Sequence, residues 1–331
     1  MKKLFKEKKF KHFNKIRSLK AMEKRHKKKN CPKTSDAKKR NSRKKFVAPE
    51  IFSVSENPEK TIEYLTKVSE AIDNNRSVHL SLKKVTKISP EAILYMLVLV
   101  NAANEKKVSL SGTPPMKGTE AHRIFIYSGF YDFVNSGISP SKETHKDSIL
   151  AVRTNDEVMP QEAKDIIDFM KKKSVPLEIA EEAAIYNTII ECMANTNDHA
   201  ANGEYGKIHW WTMSIYDEVN EKVHFAMVDN GAGIAKTINK RLLEKNVSDS
   251  EALKLAVSGN APRSRTGKAT RNQGLPNIKE YEQHGLISNL VLVANLGYYK
   301  VGADKKINLC HHFKGSIISW DFEVRGKDEN N

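Results

Sequence analysis

The 331-residue sequence predicts a mixed α/β protein, two successive α/β sandwiches behind a basic N-terminal tail. Three observations carry that prediction. Alternating strand-like runs and helical stretches with apolar faces follow one another twice, with turn residues between them. The charge is unevenly placed: residues 1–47 hold 21 Lys/Arg against the three acids Glu7, Glu23 and Asp36, whereas the rest of the chain carries 35 basic and 37 acidic side chains. The net +16 therefore belongs to one segment and not to the fold. The longest apolar run, Ala92–Val100, is too short to span a bilayer.

The tail, 1–47, has too little apolar content to offset the entropy of ordering it. It reads as a disordered arm that turns helical around Phe5, Phe10, Phe13, Ile16 and Leu19 against a polyanion. Nucleic acid is the candidate partner, through phosphate contacts that release counterions; an anionic membrane surface is the alternative. No apolar h-region follows the first lysines, so a secretory signal is not expected. Cys31, Cys192 and Cys310 are scattered, which fits reduced thiols in a cytoplasmic protein. Cys310-His311-His312 has no second ligand pair for zinc and reads as strand or hairpin.

Residues 48–150 form the first predicted sandwich. Ile62, Leu65, Val68 and Ile72 at helical spacing place a helix over 61–74, and Val78–Leu82 alternates as a strand. Ser89-Pro90 is a helix start, Ser as N-cap and Pro at the first helical position. The helix it opens runs to about Asn104. Val108–Gly112 is the next strand, and 122–133 a helix broken at Gly129. This stretch, VHLSLKKVTKISPEAILYML then VSLSG and YSGFYDFV, resembles the STAS domains of anti-sigma-factor antagonists over 50–135. The resemblance implies a protein partner bound through this module. Members that act as phosphoswitches carry an Asp-Ser pair before the long helix; here the segment is Ile88-Ser89-Pro90-Glu91, and Ser89 reads as a cap.

Residues 151–176 read as a connector with a helix over 160–172. The second sandwich, 177–325, is expected to start with a long helix over 177–201. Strands over 207–216 and 222–228, helices over 249–257 and 274–284, and strands over 290–301 and 316–324 follow.

Three segments here carry chemistry. Glu191 and Asn195 stand four apart on the long helix and share a face. A carboxylate there can deprotonate a water or hydroxyl, and an amide oxygen is a hard ligand for Mg2+. Asp198 and His199 lie one turn further on. The strand Val223–Val228 delivers Asp229, followed by Asn230-Gly231-Ala232-Gly233-Ile234, where two glycines allow close approach to a planar ligand. Asp229 is suited to an exocyclic amine. Gly274 opens a helix whose first amides can meet phosphate. A polar run before it, Ser258–Gln273, supplies Arg263, Arg265, Lys268 and Arg271.

The order and separation of these segments resemble the N, G1 and G2 boxes of the GHKL (Bergerat-fold) ATPases over 177–325, whose sheet is mixed with helices on one face. The resemblance implies Glu191 as general base and Asn195 as Mg2+ ligand. It implies ATP contacts from Asn195, Asp198, Asp229, Gly231, Gly233, Ile234, Gly267, Lys268, Arg271, Gly274, Leu275 and Ser316, and a lid over about 235–273. Gly315-Ser316 is similar to the Gly-Thr that ends the family's site. The G2 box has one glycine where relatives often have two or three, and no phosphoacceptor helix precedes the domain, which argues against a sensor histidine kinase. The expected activity is an Mg2+-dependent ATP-hydrolysing switch that couples nucleotide state to the STAS-like module. The alternatives are an anti-sigma-type protein serine/threonine kinase and a non-catalytic nucleic-acid-binding scaffold.

Overall fold

The computed structural model describes residues 43–134, 146–173, 175, 177–200, 208–242, 247–260 and 274–324, without the side chains of 146, 197–200 and 274. They form a mixed α/β fold, with eight α-helices and ten strands in three sheets among the described residues. The expected tail lies outside them except for its last five residues. Four of those, Lys44–Val47, are strand β1.

The N-terminal region continues with β2 (Ile51–Phe52), α1 (Pro58–Asp73), β3 (Val78–Ser81), β4 (Lys87–Ile88), α2 (Pro90–Glu105), β5 (Leu110–Thr113) and α3 (Glu120–Tyr127). Strands β1, β3 and β5 pair in parallel, in that order, and β2 pairs in parallel with β4. Helix α1 starts three residues earlier than its apolar spacing suggests, because Pro58 is pre-set for the first turn. Gly129, at φ 80, ends the α3 segment and admits a 3-10 turn over Phe130–Asp132. Ser89 occupies the N-cap position of α2, but its hydroxyl makes no cap bond.

The C-terminal region holds β6 (Ile149–Asn155), α4 (Pro160–Lys172), α5 (Ile179–Ala200), β7 (Trp210–Asp217), β8 (Lys222–Asp229), α6 (Ile234–Arg241), α7 (Asp249–Val257), α8 (Gly274–Gln283), β9 (Ser288–Lys300) and β10 (Lys305–Glu323). Its sheet runs β6-β7-β8-β10-β9 and is antiparallel at every described pairing, whereas a mixed sheet was expected. The short turns that join β7 to β8 and β9 to β10 impose that direction. Strand β6, which straddles the expected boundary between the first sandwich and the connector at 150/151, is an edge of this sheet.

Alternation along the strands sorts side chains into two cores. Phe225 and Met227 of β8, Leu290 and Leu292 of β9, and Ile318 and Trp320 of β10 meet α4–α8 on one face. Ala226 and Val228, Val291 and Val293, and Ile317 point the other way, into one apolar cluster with Leu94, Leu97 and Val98 of α2. Helices α4–α8 therefore cover one face and α1 and α2 of the N-terminal region the other, so helices lie on both faces where one was expected. Residues 44–331 group as a single compact unit.

A buried ionic cluster fastens that second junction. His224 of β8 lies between Glu91 of α2, 2.9 Å from its Nε2, and Asp321 of β10, which meets its Nδ1. Lys222 Nζ is 2.6 Å from Asp321 Oδ2, and Asn289 donates to the same oxygen at 2.9 Å. Two anions thus face two cations. No helix among the described residues is long and apolar enough to cross a membrane.

Candidate functional site

The ladder between β8 and β10 ends with Ser316, midway along β10, opposite Asp229 at the end of β8. Asp229 follows Phe225 and Met227 at intervals of two, so it points to the face covered by α4–α8. The Gly231 N–H donates to Asp229 Oδ1 at 2.8 Å. Ser316 hydrogen-bonds the same carboxylate and accepts from the Ile234 N–H at 3.2 Å. Burial pushes the Asp229 carboxyl up to about 6, against the pull of the Gly231 and Ser316 donors.

Two glycines make this arrangement possible. Gly315 has φ 78, and a Cβ on it would fall 1.9 Å from the Asp229 carbonyl oxygen. Gly233 has φ 90, and a Cβ there would fall 2.5 Å from Asn295 Oδ1. Asn295 itself is buried at φ 55 and clamps the turn from β9. Its Nδ2 donates to the Ala232 carbonyl at 3.0 Å, and its Oδ1 accepts from the Lys236 N–H at 2.8 Å. Asn230 fixes the near side, accepting from the His209 N–H at 2.7 Å. The first amides of α6 are thus used within the turn.

Helix α5 lies across the same face. Ile185, Thr188, Ile189, Cys192, Met193 and Thr196 form its buried stripe, and Glu191 and Asn195 sit beside that stripe, partly exposed and one turn apart. Cys192 lies within electrostatic reach of both Glu191 and Asp229. Burial first, then those two acids, push its thiol up to about 12. Cys192 packs in the same core as Phe225 and Met227, so α5 lies on the side of the sheet to which Asp229 points. Tyr281 of α8 hydrogen-bonds with Thr188 of α5, and burial, then Glu280 and Glu191, raise its phenol. Helix α8, opened by Gly274, is tied in this way to the helix that carries Glu191.

Comparison with protein-family models, with curated proteins and with solved structures finds no match.

The chain's own geometry joins Asp229, Gly231, Ile234 and Ser316 through hydrogen bonds, adds Gly233 at the turn, and brings Glu191 to the same face. Leu275 packs at the edge of the α4–α8 core. Asp198 lies in α5, with a side chain outside the described residues, and Gly267, Lys268 and Arg271 lie outside them altogether. The expected lid needs correction where it is described: α6 and α7 fall within 235–273, and Ala235, Ile238, Ala252, Leu253, Ala256 and Val257 are core residues. Cys310, His311 and His312 lie in β10, where His311 meets Glu70 and His312 meets Asn295. Among the described residues, no group of three or more His, Cys, Asp or Glu could hold a metal ion.

Sequence reasoning missed Asn295. Its signal was an amide inside the apolar run Leu290–Tyr299, a position where a polar group needs fixed partners.

Proposed function

We propose that this chain binds an adenine nucleotide at the Asp229–Ser316 site and hydrolyses ATP with Mg2+, as a switch whose state is read by the N-terminal region. In this reading residues 177–324, with β6, make a Bergerat-type layer, and residues 44–134 a STAS-like module.

The observation that carries the reading is the acid at the end of β8. Asp229 is held ionisable but poorly compensated, with its pKa raised to about 6, beside two glycines that bring backbone close to it. A carboxyl whose pKa is displaced by burial, with no cation beside it among the described residues, is a candidate for a binding site. Asp229 accepts the purine amine, while the Gly231–Gly233 turn lies against the ring. Glu191 takes a proton from the attacking water, and its neighbour Asn195 would hold Mg2+. When bound, ATP with Mg2+ supplies a terminal phosphoryl group whose charge the cation offsets. Leu275 and the start of α8 flank the phosphates, and Tyr281 keeps α8 aligned with α5.

The test is ATP titration of the full chain with and without Mg2+, followed by product analysis with γ-labelled ATP. Binding with release of free phosphate is expected, and Glu191→Ala should keep binding and lose turnover. Label appearing on protein would turn the reading to a kinase. No affinity for any adenine nucleotide would end it.

A further inference from the structure

Helix α2 lies on the sheet face opposite Asp229, yet one of its side chains reaches the strand that carries Ser316. Tyr95, fully buried, donates its hydroxyl to the Lys314 carbonyl at 3.1 Å. Its ring stacks on Phe313 with centroids 4.1 Å apart. Lys314 is held a second time, from α1, by an ion pair with Asp73. The next residue is Gly315, packed against the Asp229 backbone, and then comes Ser316 with its bond to the Asp229 carboxyl.

Strand β10 is irregular at this point. Its register with β9 shifts between Asn308 and Phe313 and again between Phe313 and Ser316. The ladder with β9 holds Phe313 opposite Asn295 and Ser316 opposite Ala294 but skips Lys314 and Gly315, and there the contacts from α1 and α2 act. Burial, then Asp73 and Asp229, raise the Tyr95 phenol, so the hydroxyl remains a neutral donor across the working pH range.

We propose that Tyr95 is a positioning residue for the nucleotide pocket, by which the N-terminal region sets the affinity of the Asp229–Ser316 site. The inference rests on the adenine-nucleotide reading above. Without the Tyr95 hydroxyl, the Lys314 carbonyl loses its buried donor. The Gly315 turn then relaxes, and Ser316 is displaced from Asp229. Coupling of this kind is reciprocal: a ligand that orders Ser316 also orders α2.

The experiment compares Tyr95→Phe with the wild-type full chain, by ATP and ADP titration and by amide hydrogen exchange. The variant keeps the ring stack and loses only the hydroxyl. Affinity should fall about five-fold, the effect of one buried hydrogen bond. Nucleotide should slow exchange across 90–99 in the wild type and not in the variant. Tyr64→Phe is the control, because it removes a buried hydroxyl of the same region that has no hydrogen-bond partner among the described residues; it should leave affinity unchanged. Asp73→Asn tests the same turn from the surface, with about two-fold weakening expected, and answers the question if Tyr95→Phe does not fold. Unchanged affinity in Tyr95→Phe, or in Asp73→Asn where the first variant is unfolded, overturns this inference and leaves the pocket standing. Equal weakening in Tyr64→Phe also overturns it. No nucleotide binding by the wild type overturns both.

Discussion

The two faces of the five-stranded sheet handle buried acid in opposite ways. On the face covered by α4–α8, burial holds Asp229 up to about 6 because its only described compensation is from neutral donors. On the other face burial works against Asp321 in the same direction, but His224 and Lys222 outweigh it and hold the carboxyl well below the usual range. Glu91 follows Asp321, with His224 outweighing burial. The acids of the second face are spent on joining parts of the chain. Among the described residues Asp229 has no cationic partner, and such a group is available to a ligand.

The largest expected effect breaks the paired side. His224→Ala leaves two buried carboxylates without their shared cation and should cost about 3–5 kcal/mol in urea unfolding. A loss under about 1 kcal/mol would mean that the two faces do not differ. Gly315→Ala comes next. It forces a side chain into the left-handed region and onto the Asp229 carbonyl, and should cost about 2–4 kcal/mol and abolish nucleotide binding. Asp229→Asn should do the reverse to the unliganded protein. At neutral pH the ionised carboxylate is disfavoured there, so the amide should raise stability by about 1 kcal/mol while nucleotide binding disappears.

A pair of pH slopes also separates the faces. Burial alone would lower His224, but Glu91 and Asp321 hold it up to about 10. Its contribution is then complete below its unfolded value near 6.5 and declines as pH rises to about 10. Asp229 is also raised, so its contribution is complete below about 3.8 and declines as pH rises through about 6. Urea midpoints should therefore fall in two stages with rising pH. His224→Gln should flatten the stage above pH 7, and Asp229→Asn the stage below it. If one substitution flattens both, the groups are coupled through the sheet.

Much of the fold was legible where the signals are local. Helix α4 begins at Pro160 and α7 at Asp249, as proline and apolar spacing suggest, and the break at Gly129 is real. Strand β6 was not legible, because Ile149–Asn155 is strand only by virtue of β7, some 60 residues on. The first half of β10 alternates around Cys310-His311-His312, whose partners Glu70 and Asn295 come from elsewhere in the chain. Helix α6 buries only Ala235 and Ile238, too few apolar positions to show a period. The same division holds at the site. Asp229, Gly233 and Gly315 could be picked out because glycine turns and strand ends are written in neighbouring residues. Tyr95 could not, since it matters only through a contact made by folding, and Asn295 showed only as an amide in an apolar run, with no sign of its partners.

The shared core has a practical consequence for dissection. Cutting the chain between 134 and 146 would uncover Trp211, Met213, Ile215, Val291, Val293 and Ile317 together. It would also strand His224 and Asp321 without Glu91. A C-terminal fragment prepared to isolate the five-stranded sheet should aggregate, and failure of such a preparation to bind nucleotide would say nothing about the full chain.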